Sequence, residues 1–148
     1  MASTYTSLHY HLVFSTKNRV PLIDTEWRGR LHEYLGGTIR GLGGVPETIG
    51  GVADHVHILA GLKPTHCLSD FMQKLKKNAT DWVQDEIKMK SFYWQEGYAA
   101  FSVSATSLKG VRGYINDQEK HHEKKSFRDE LIELLEMSGI EYDPKFLD

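Results

Sequence analysis

The sequence has little cysteine and no long apolar run, and both shortages limit the kinds of protein it can encode. Cys67 is the only cysteine among 148 residues, which excludes an intramolecular disulfide framework and a thiolate zinc cluster. No apolar run approaches the roughly 18 residues that span a bilayer, and the first twelve residues lack the basic segment and apolar core of a secretion signal. We therefore expect a cytoplasmic protein with no membrane segment.

Length and charge give a broad class. A chain of 148 residues that is 40% hydrophobic and 26% charged predicts a single globular domain over residues 1–148. The formal net charge of −2 is unevenly distributed, because residues 129–148 carry −6 and leave +4 on residues 1–128. A mildly basic body permits a phosphate-bearing partner such as nucleic acid but does not require one.

The first half of the chain alternates predicted strands and helices. Residues 4–16, rich in aromatic and β-branched side chains, predict a strand. Apolar residues at every fourth position predict a helix that Asp24 or Thr25 caps and that ends near residues 41–44. Two short strands are expected at residues 47–51 and 55–62, with a bulge or bend at Gly50 and Gly51.

The second half predicts three more helices and one broken strand. Thr65 or Ser69 is expected to cap a helix with an apolar stripe that runs to residue 83. Residues 92–103 have strand character on both sides of a glycine, and residues 107–118 predict a further helix despite Gly110 and Gly113. A last helix begins after Ser126, with Asp129 completing the cap, and ends at Gly139.

This element order predicts an α+β fold. Short strands that can form hairpins, joined by crossover helices, favour a ferredoxin-like (RRM-like) antiparallel sheet with helices on one face. The helix over residues 107–118, near the C-terminus, carries a tyrosine, Tyr114.

Two histidines and two further polar residues are candidates for one site. On a strand, His55 and His57 project from the same face about 7 Å apart, close enough to bind one metal ion. On a helix, Tyr114 and Gln118 are neighbours on one face. The ordinary alternative is that the histidines are partly exposed or hydrogen-bonded in a core and that the tyrosine is a core or rim residue.

The combination suits cleavage of a phosphodiester bond. Two neutral imidazoles and an amide oxygen leave a divalent ion with its full charge and with open positions for phosphate oxygens. A tyrosine with an ordinary pKa near 10 is both a workable nucleophile and a workable leaving group, so the step is reversible without a nucleotide cofactor. Such chemistry suits rejoining of a cut strand better than degradation.

These residues resemble the HUH superfamily, specifically the single-tyrosine transposases (TnpA-type) of the smallest bacterial insertion sequences. The resemblance covers nearly the whole chain. The stretches that carry it are HLVFSTK at 11–17, DHVHIL at 54–59, WQEGY at 94–98, FSVS at 101–104 and YINDQ at 114–118, followed by His121 and His122.

The resemblance implies a role for each matching residue. His55 and His57 match the metal-binding pair, Tyr114 the nucleophile and Gln118 the third ligand. It implies a ferredoxin-like fold, an obligate homodimer, and Mg²⁺ or Mn²⁺ as the cofactor. The implied substrate is single-stranded DNA folded into hairpins near the ends of an insertion sequence. Cleavage through a 5′-phosphotyrosine intermediate leads to excision and insertion of that sequence.

Four basic residues are candidates for DNA contacts. Lys74 and Lys77 lie on the second predicted helix, and Lys109 and Arg112 lie close to Tyr114, where they could steady the scissile phosphate. Lysines on a helix are equally typical of a solvated surface.

Three other functions fit parts of the pattern. A transposase-derived protein that processes dispersed hairpin repeats would use the same residues. A ferredoxin-like domain that binds single-stranded nucleic acid without cutting it would leave the four-residue constellation as coincidence. A small metal-dependent hydrolase unrelated to DNA would give Gln118 no role.

Overall fold

A computed structural model of the chain describes residues 3–147, and it consists of a four-stranded sheet and five helices. In chain order the elements are β1 (His9–Ser15), α1 (Thr25–Gly41), β2 (Val45–Gly51), β3 (His55–Gly61), α2 (Leu68–Trp82), β4 (Ala99–Val103), α3 (Leu108–Asn116), α4 (Gln118–His122) and α5 (Phe127–Met137). A π-helical turn, Val83–Ile87, extends α2, and short 3₁₀ turns fill several of the connections.

The sheet has the predicted ferredoxin-like arrangement. Its strand order is β2-β3-β1-β4, and each of the three neighbouring pairs is antiparallel. The two central strands, β1 and β3, come from distant parts of the chain and pair over seven residues, from His9 opposite Gly61 to Ser15 opposite His55. The predicted fold class is therefore confirmed, although β1 begins at His9 rather than at Thr4. The expected placement of helices on one face is wrong, because helices cover both faces of the sheet.

The main core lies between one face of this sheet and helices α1 and α2. Trp27, Leu31, Leu35 and Ile39 are buried on α1 at the predicted spacing, and Asp24 accepts a hydrogen bond from the backbone at the helix start. The stripe on α2 is buried against the same face. Its predicted cap is wrong, because Cys67 occupies the capping position and makes no side-chain capping bond.

The irregularity in β2 lies elsewhere than predicted. The register shifts between Pro46 and Thr48, whereas Gly50 pairs regularly with His57. Gly50 has another constraint, because a Cβ atom there would collide with the backbone carbonyl oxygen of Ile115 on α3. The glycine thus allows α3 to pack closely on β2.

The predicted helix over residues 107–118 is divided into two. Helix α3 ends at Asn116, Asp117 leaves the helical region with φ −97° and ψ 19°, and α4 begins at Gln118. Tyr114 and Gln118 therefore lie on different helices rather than on one. The Asp117 amide still bonds the Gly113 carbonyl, which keeps the two helices close.

The face of the sheet opposite the main core carries a second layer. Leu59 and Val103 pack there against Ile115 of α3, forming a small separate cluster. Helix α5 begins at the predicted cap, where the Ser126 side chain accepts from the Asp129 amide, and Gly139 follows the helix with φ +67°. Within residues 3–147, no helix combines the length and apolar character needed to cross a membrane.

Candidate active site

Strand β3 places His55 and His57 as its alternation predicts. Both side chains are fully buried and project from the face that α3, α4 and α5 cover, whereas Val56 between them packs in the main core. His55 Nδ1 donates to Asp54 Oδ1 at 2.7 Å, which leaves Nε2 free to point toward the second layer. Burial lowers the pKa of His55, but hydrogen bonds to Asp54 and Glu130 offset it, and the net pKa is raised.

His57 is held by a third histidine, His11 on β1. His11 Nε2 and His57 Nδ1 are hydrogen-bonded at 2.7 Å, and the two rings stack with centroids 4.9 Å apart. Burial, with the adjacent His57, lowers the pKa of His11 to about 3, so this ring is neutral. Burial also lowers the pKa of His57. A neutral His57 keeps a lone pair for a cation.

Gln118 reaches this cluster from the first residue of α4. Its side chain is 1% exposed, and its Oε1 lies 3.2 Å from His55 Nε2. Its amide nitrogen donates to Glu130 Oε2 at 3.1 Å, which orients the oxygen toward the histidines. The break at Asp117 therefore does not remove Gln118 from the site predicted for it.

Tyr114 enters from α3 and is half-buried. Its ring centroid lies 5.8 Å from that of His57, and its hydroxyl donates a short hydrogen bond to Glu130 Oε2. Burial and the neighbouring Glu130 carboxylate raise the pKa of Tyr114. The phenol is consequently protonated in this arrangement.

Glu130 on α5 is the central residue that the sequence did not reveal. Its side chain is 3% exposed, and its Oε1 lies 2.9 Å from His57 Nε2, 3.1 Å from His122 Nε2 and 3.4 Å from His55 Nε2. Burial raises the pKa of this carboxyl, but hydrogen bonds from His122, His55 and His57 outweigh it and hold the pKa well below its usual range. The one available signal was an acid between Phe127 and Leu134 on the apolar side of the helix.

His122, which the sequence places just after the matched motif, also belongs to the cluster. It lies one turn beyond Gln118 on α4, and its Nε2 is 3.1 Å from both Gln118 Oε1 and Glu130 Oε1. Its ring stands at 71° to the ring of His55, with centroids 4.5 Å apart.

The donor atoms fit a divalent cation. Ligand atoms of His55, His57, His122 and Glu130 all lie within 4.8 Å of one another. Ligands at about 2.1 Å from an octahedral ion would be about 3.0 Å apart when adjacent, and Glu130 Oε1 and Gln118 Oε1 lie 2.9 to 3.4 Å from the histidine nitrogens that they contact. Three imidazole nitrogens that converge on one carboxylate oxygen need protons or a cation between them. The cluster could therefore hold a metal ion.

The four candidate DNA-contact residues divide between the two layers. Lys74 and Lys77 are exposed on α2, on the opposite side of the sheet from the histidines, and Lys77 pairs with Asp81 at 2.9 Å. Lys109 and Arg112 are exposed on α3, the helix of Tyr114. Arg112 Nε donates to the Thr48 hydroxyl at 3.2 Å.

Comparison with known proteins points to one family. The family model described as "Transposase IS200 like" matches residues 4–118. No curated protein matches the sequence at a significant level.

Two solved structures are similar in fold. One is a candidate transposase from Deinococcus radiodurans R1, with a TM-score of 0.65 and 24% identity, covering 80% of this chain and 95% of that one. The other is a REP-associated tyrosine transposase bound to a REP hairpin, with a TM-score of 0.57 and 15% identity, covering 78% of this chain and 68% of that one.

Proposed function

Because this chain belongs to the IS200-like transposase family, we propose that it cuts and rejoins single-stranded DNA through a covalent bond to Tyr114. One observation carries the proposal: Tyr114, His55, His57 and Gln118 meet in one buried cluster, although they come from a strand and two separate helices. Chance burial of three histidines, an amide and a phenol around one carboxylate is a poor alternative, because each buried polar group needs a partner.

We propose that His55, His57 and Gln118 hold Mg²⁺ or Mn²⁺, with Glu130 and His122 as additional ligands. When bound, the ion would polarise the scissile phosphate and offset its negative charge. Asp54 and His11 orient the two imidazoles from behind through hydrogen bonds of 2.7 Å each, a role whose loss typically costs 10- to 100-fold in metal affinity.

In the proposed reaction the Tyr114 phenolic oxygen forms a bond to phosphorus and the bond from phosphorus to the 3′ oxygen breaks. The phenolic proton is lost, the departing oxygen gains a proton, and the products are a 5′-phosphotyrosine and a free 3′-hydroxyl. Attack by a 3′-hydroxyl on the phosphotyrosine reverses the step, so no nucleotide cofactor is needed. Lys109 and Arg112, on the same helix as Tyr114, are proposed to contact the phosphates that flank the cut. Lys74 and Lys77, on α2, are proposed to contact DNA further from the cut.

The proposed substrates are hairpins in single-stranded DNA, and the proposed assembly is a homodimer. Support for the substrate comes from the REP-associated tyrosine transposase, whose structure holds a REP hairpin. The same likeness favours a second candidate, a transposase-derived protein that processes dispersed hairpin repeats. Excision followed by insertion of a donor sequence in vitro would favour the insertion-sequence enzyme. Cleavage and rejoining of isolated repeats without insertion would favour the second candidate.

The central test is denaturing electrophoresis of an end-labelled hairpin strand incubated with protein and Mg²⁺ or Mn²⁺. We expect a covalent protein–DNA band that EDTA removes. Tyr114→Phe loses only the phenolic oxygen, so we expect it to abolish the band while hairpin binding persists. Substantial cleavage by Tyr114→Phe would rule out Tyr114 as the nucleophile, and binding without a band across several hairpins would favour the non-catalytic domain.

A further inference from the structure

A cavity of about 390 Å³ opens between α3 and α5, and Tyr114 forms part of its wall. Its apolar lining includes Val111 on α3 and Leu134 and Met137 on α5, and Met137 is 80% exposed. The partly exposed ion pair of Lys125 and Glu133 also lines it. Six of the ten lining residues are polar or charged, including Glu130 of the cluster, so the lining is mixed, and the volume lies in the usual range for a ligand site.

Gly110 lines this cavity without a side chain. It lies one turn before Tyr114 on α3. A Cβ atom at Gly110 would meet no heavy atom of the described chain within 4 Å, and the residue does not require a positive φ. Glycine inside a helix costs about 1 kcal/mol relative to alanine. Neither packing nor backbone conformation within residues 3–147 accounts for that cost.

The position of Tyr114, the proposed nucleophile, indicates what the cavity between α3 and α5 binds. For Tyr114 to attack, the scissile phosphate must reach its hydroxyl, and the two flanking nucleotides then lie next to the α3–α5 cavity. An unpaired base has two apolar faces that gain about 1–3 kcal/mol by stacking on protein side chains. We propose that this cavity binds the unpaired base adjacent to the scissile phosphate, an inference that rests on the proposed function of Tyr114.

Helix α5 supplies one wall of this subsite from outside the region that the family model matches. The family match ends at residue 118, whereas Leu134, Met137 and Glu133 lie beyond it and form one wall. We therefore expect residues outside the matched region to influence which bases are preferred at the cut.

The first test compares pocket-filling and control variants. Gly110→Phe and Gly110→Leu place a side chain in the cavity, whereas Gly113→Phe alters the same helix at a residue that also has free space around it but does not line the cavity. Single-turnover formation of the covalent adduct is measured on strands with an abasic site at each position flanking the cut. We expect one abasic position to slow the wild type and Gly113→Phe about tenfold or more.

The Gly110 variants should cleave the intact strand about tenfold more slowly and should not distinguish it from the abasic strand. The proposal is overturned if no flanking base matters to the wild type, or if the Gly110 variants retain the wild-type preference. The proposal is also overturned if sedimentation shows that the Gly110 variants merely dissociate an oligomer and removal of a base has no effect on cleavage.

A second readout does not depend on cleavage. Strands with 2-aminopurine at each unpaired position near the hairpin foot are titrated in EDTA with each protein. One position should change its fluorescence at least twofold with the wild type and Gly113→Phe but not with Gly110→Phe, whose fold is checked by circular dichroism. A wild type that gives this signal without a covalent adduct would refute the proposed function but not the base site. Absence of the signal at every position would refute the base site.

Discussion

Glu130 shows how one side chain can connect two parts of a site. Its Oε1 faces three histidine nitrogens, and its Oε2 accepts from the Tyr114 hydroxyl and the Gln118 amide. The carboxylate therefore links the candidate metal ligands to the candidate nucleophile. Sequence reasoning did not find it, because the contact with His57 joins residues 73 positions apart and no local pattern encodes such a contact.

We expect Glu130→Gln to weaken Mn²⁺ binding about 10-fold or more, because the amide keeps the shape of the side chain but removes its negative charge. Electron paramagnetic resonance titration of free Mn²⁺ would measure the affinity. Glu136→Gln, on the exposed side of the same helix, is the matched control and should bind as the wild type does. Equal affinities for both variants would exclude Glu130 as a ligand.

At the scale of the elements, the close contact between β2 and α3 depends on a missing side chain. Gly50→Ala would drive its Cβ into the Ile115 carbonyl, and overpacking of this kind typically costs about 1–3 kcal/mol. We expect its free energy of unfolding in urea to fall by that amount. Gly37→Ala, in α1, adds a Cβ that would meet no heavy atom within 4 Å apart from its own stretch of the helix, and should instead leave stability unchanged or raise it by up to about 1 kcal/mol. Equal stability of Gly50→Ala and the wild type would show that α3 is not tightly seated on β2.

The elements also show which parts of the fold a sequence can predict. The period of α1, the alternation of β3 and the Ser126 cap are local signals, and each predicted its element. The break at Asp117 has no such signal, since neither glycine nor proline marks it, and residues 107–118 were predicted as one helix. Tyr114 and Gln118 nevertheless lie in the same cluster, because the Gln118 side-chain amide donates to the Tyr114 carbonyl across the break.

At the scale of the whole molecule, the cluster predicts that stability depends on metal. It joins β3 to α4 and α5, whose sequence positions span residues 55–130. A cation that binds only the folded chain at 100 times its dissociation constant would stabilise it by about 2.7 kcal/mol. We expect Mn²⁺ to raise the melting temperature and EDTA to reverse the rise, as measured by differential scanning calorimetry. The His57→Ala variant should show no comparable rise, and an equal rise in that variant would place the ion elsewhere.

The break at Asp117 places the candidate nucleophile Tyr114 on α3 and the candidate ligand Gln118 on α4. Rotation of α3 about this break would carry Tyr114, and any strand attached to it, away from the histidines while Gln118 stayed beside His55. Under the proposed function, such a movement would shift an attached DNA end while the candidate metal ligands stayed in place. A continuous helix from residue 107 to 118 would have forced both residues to travel together.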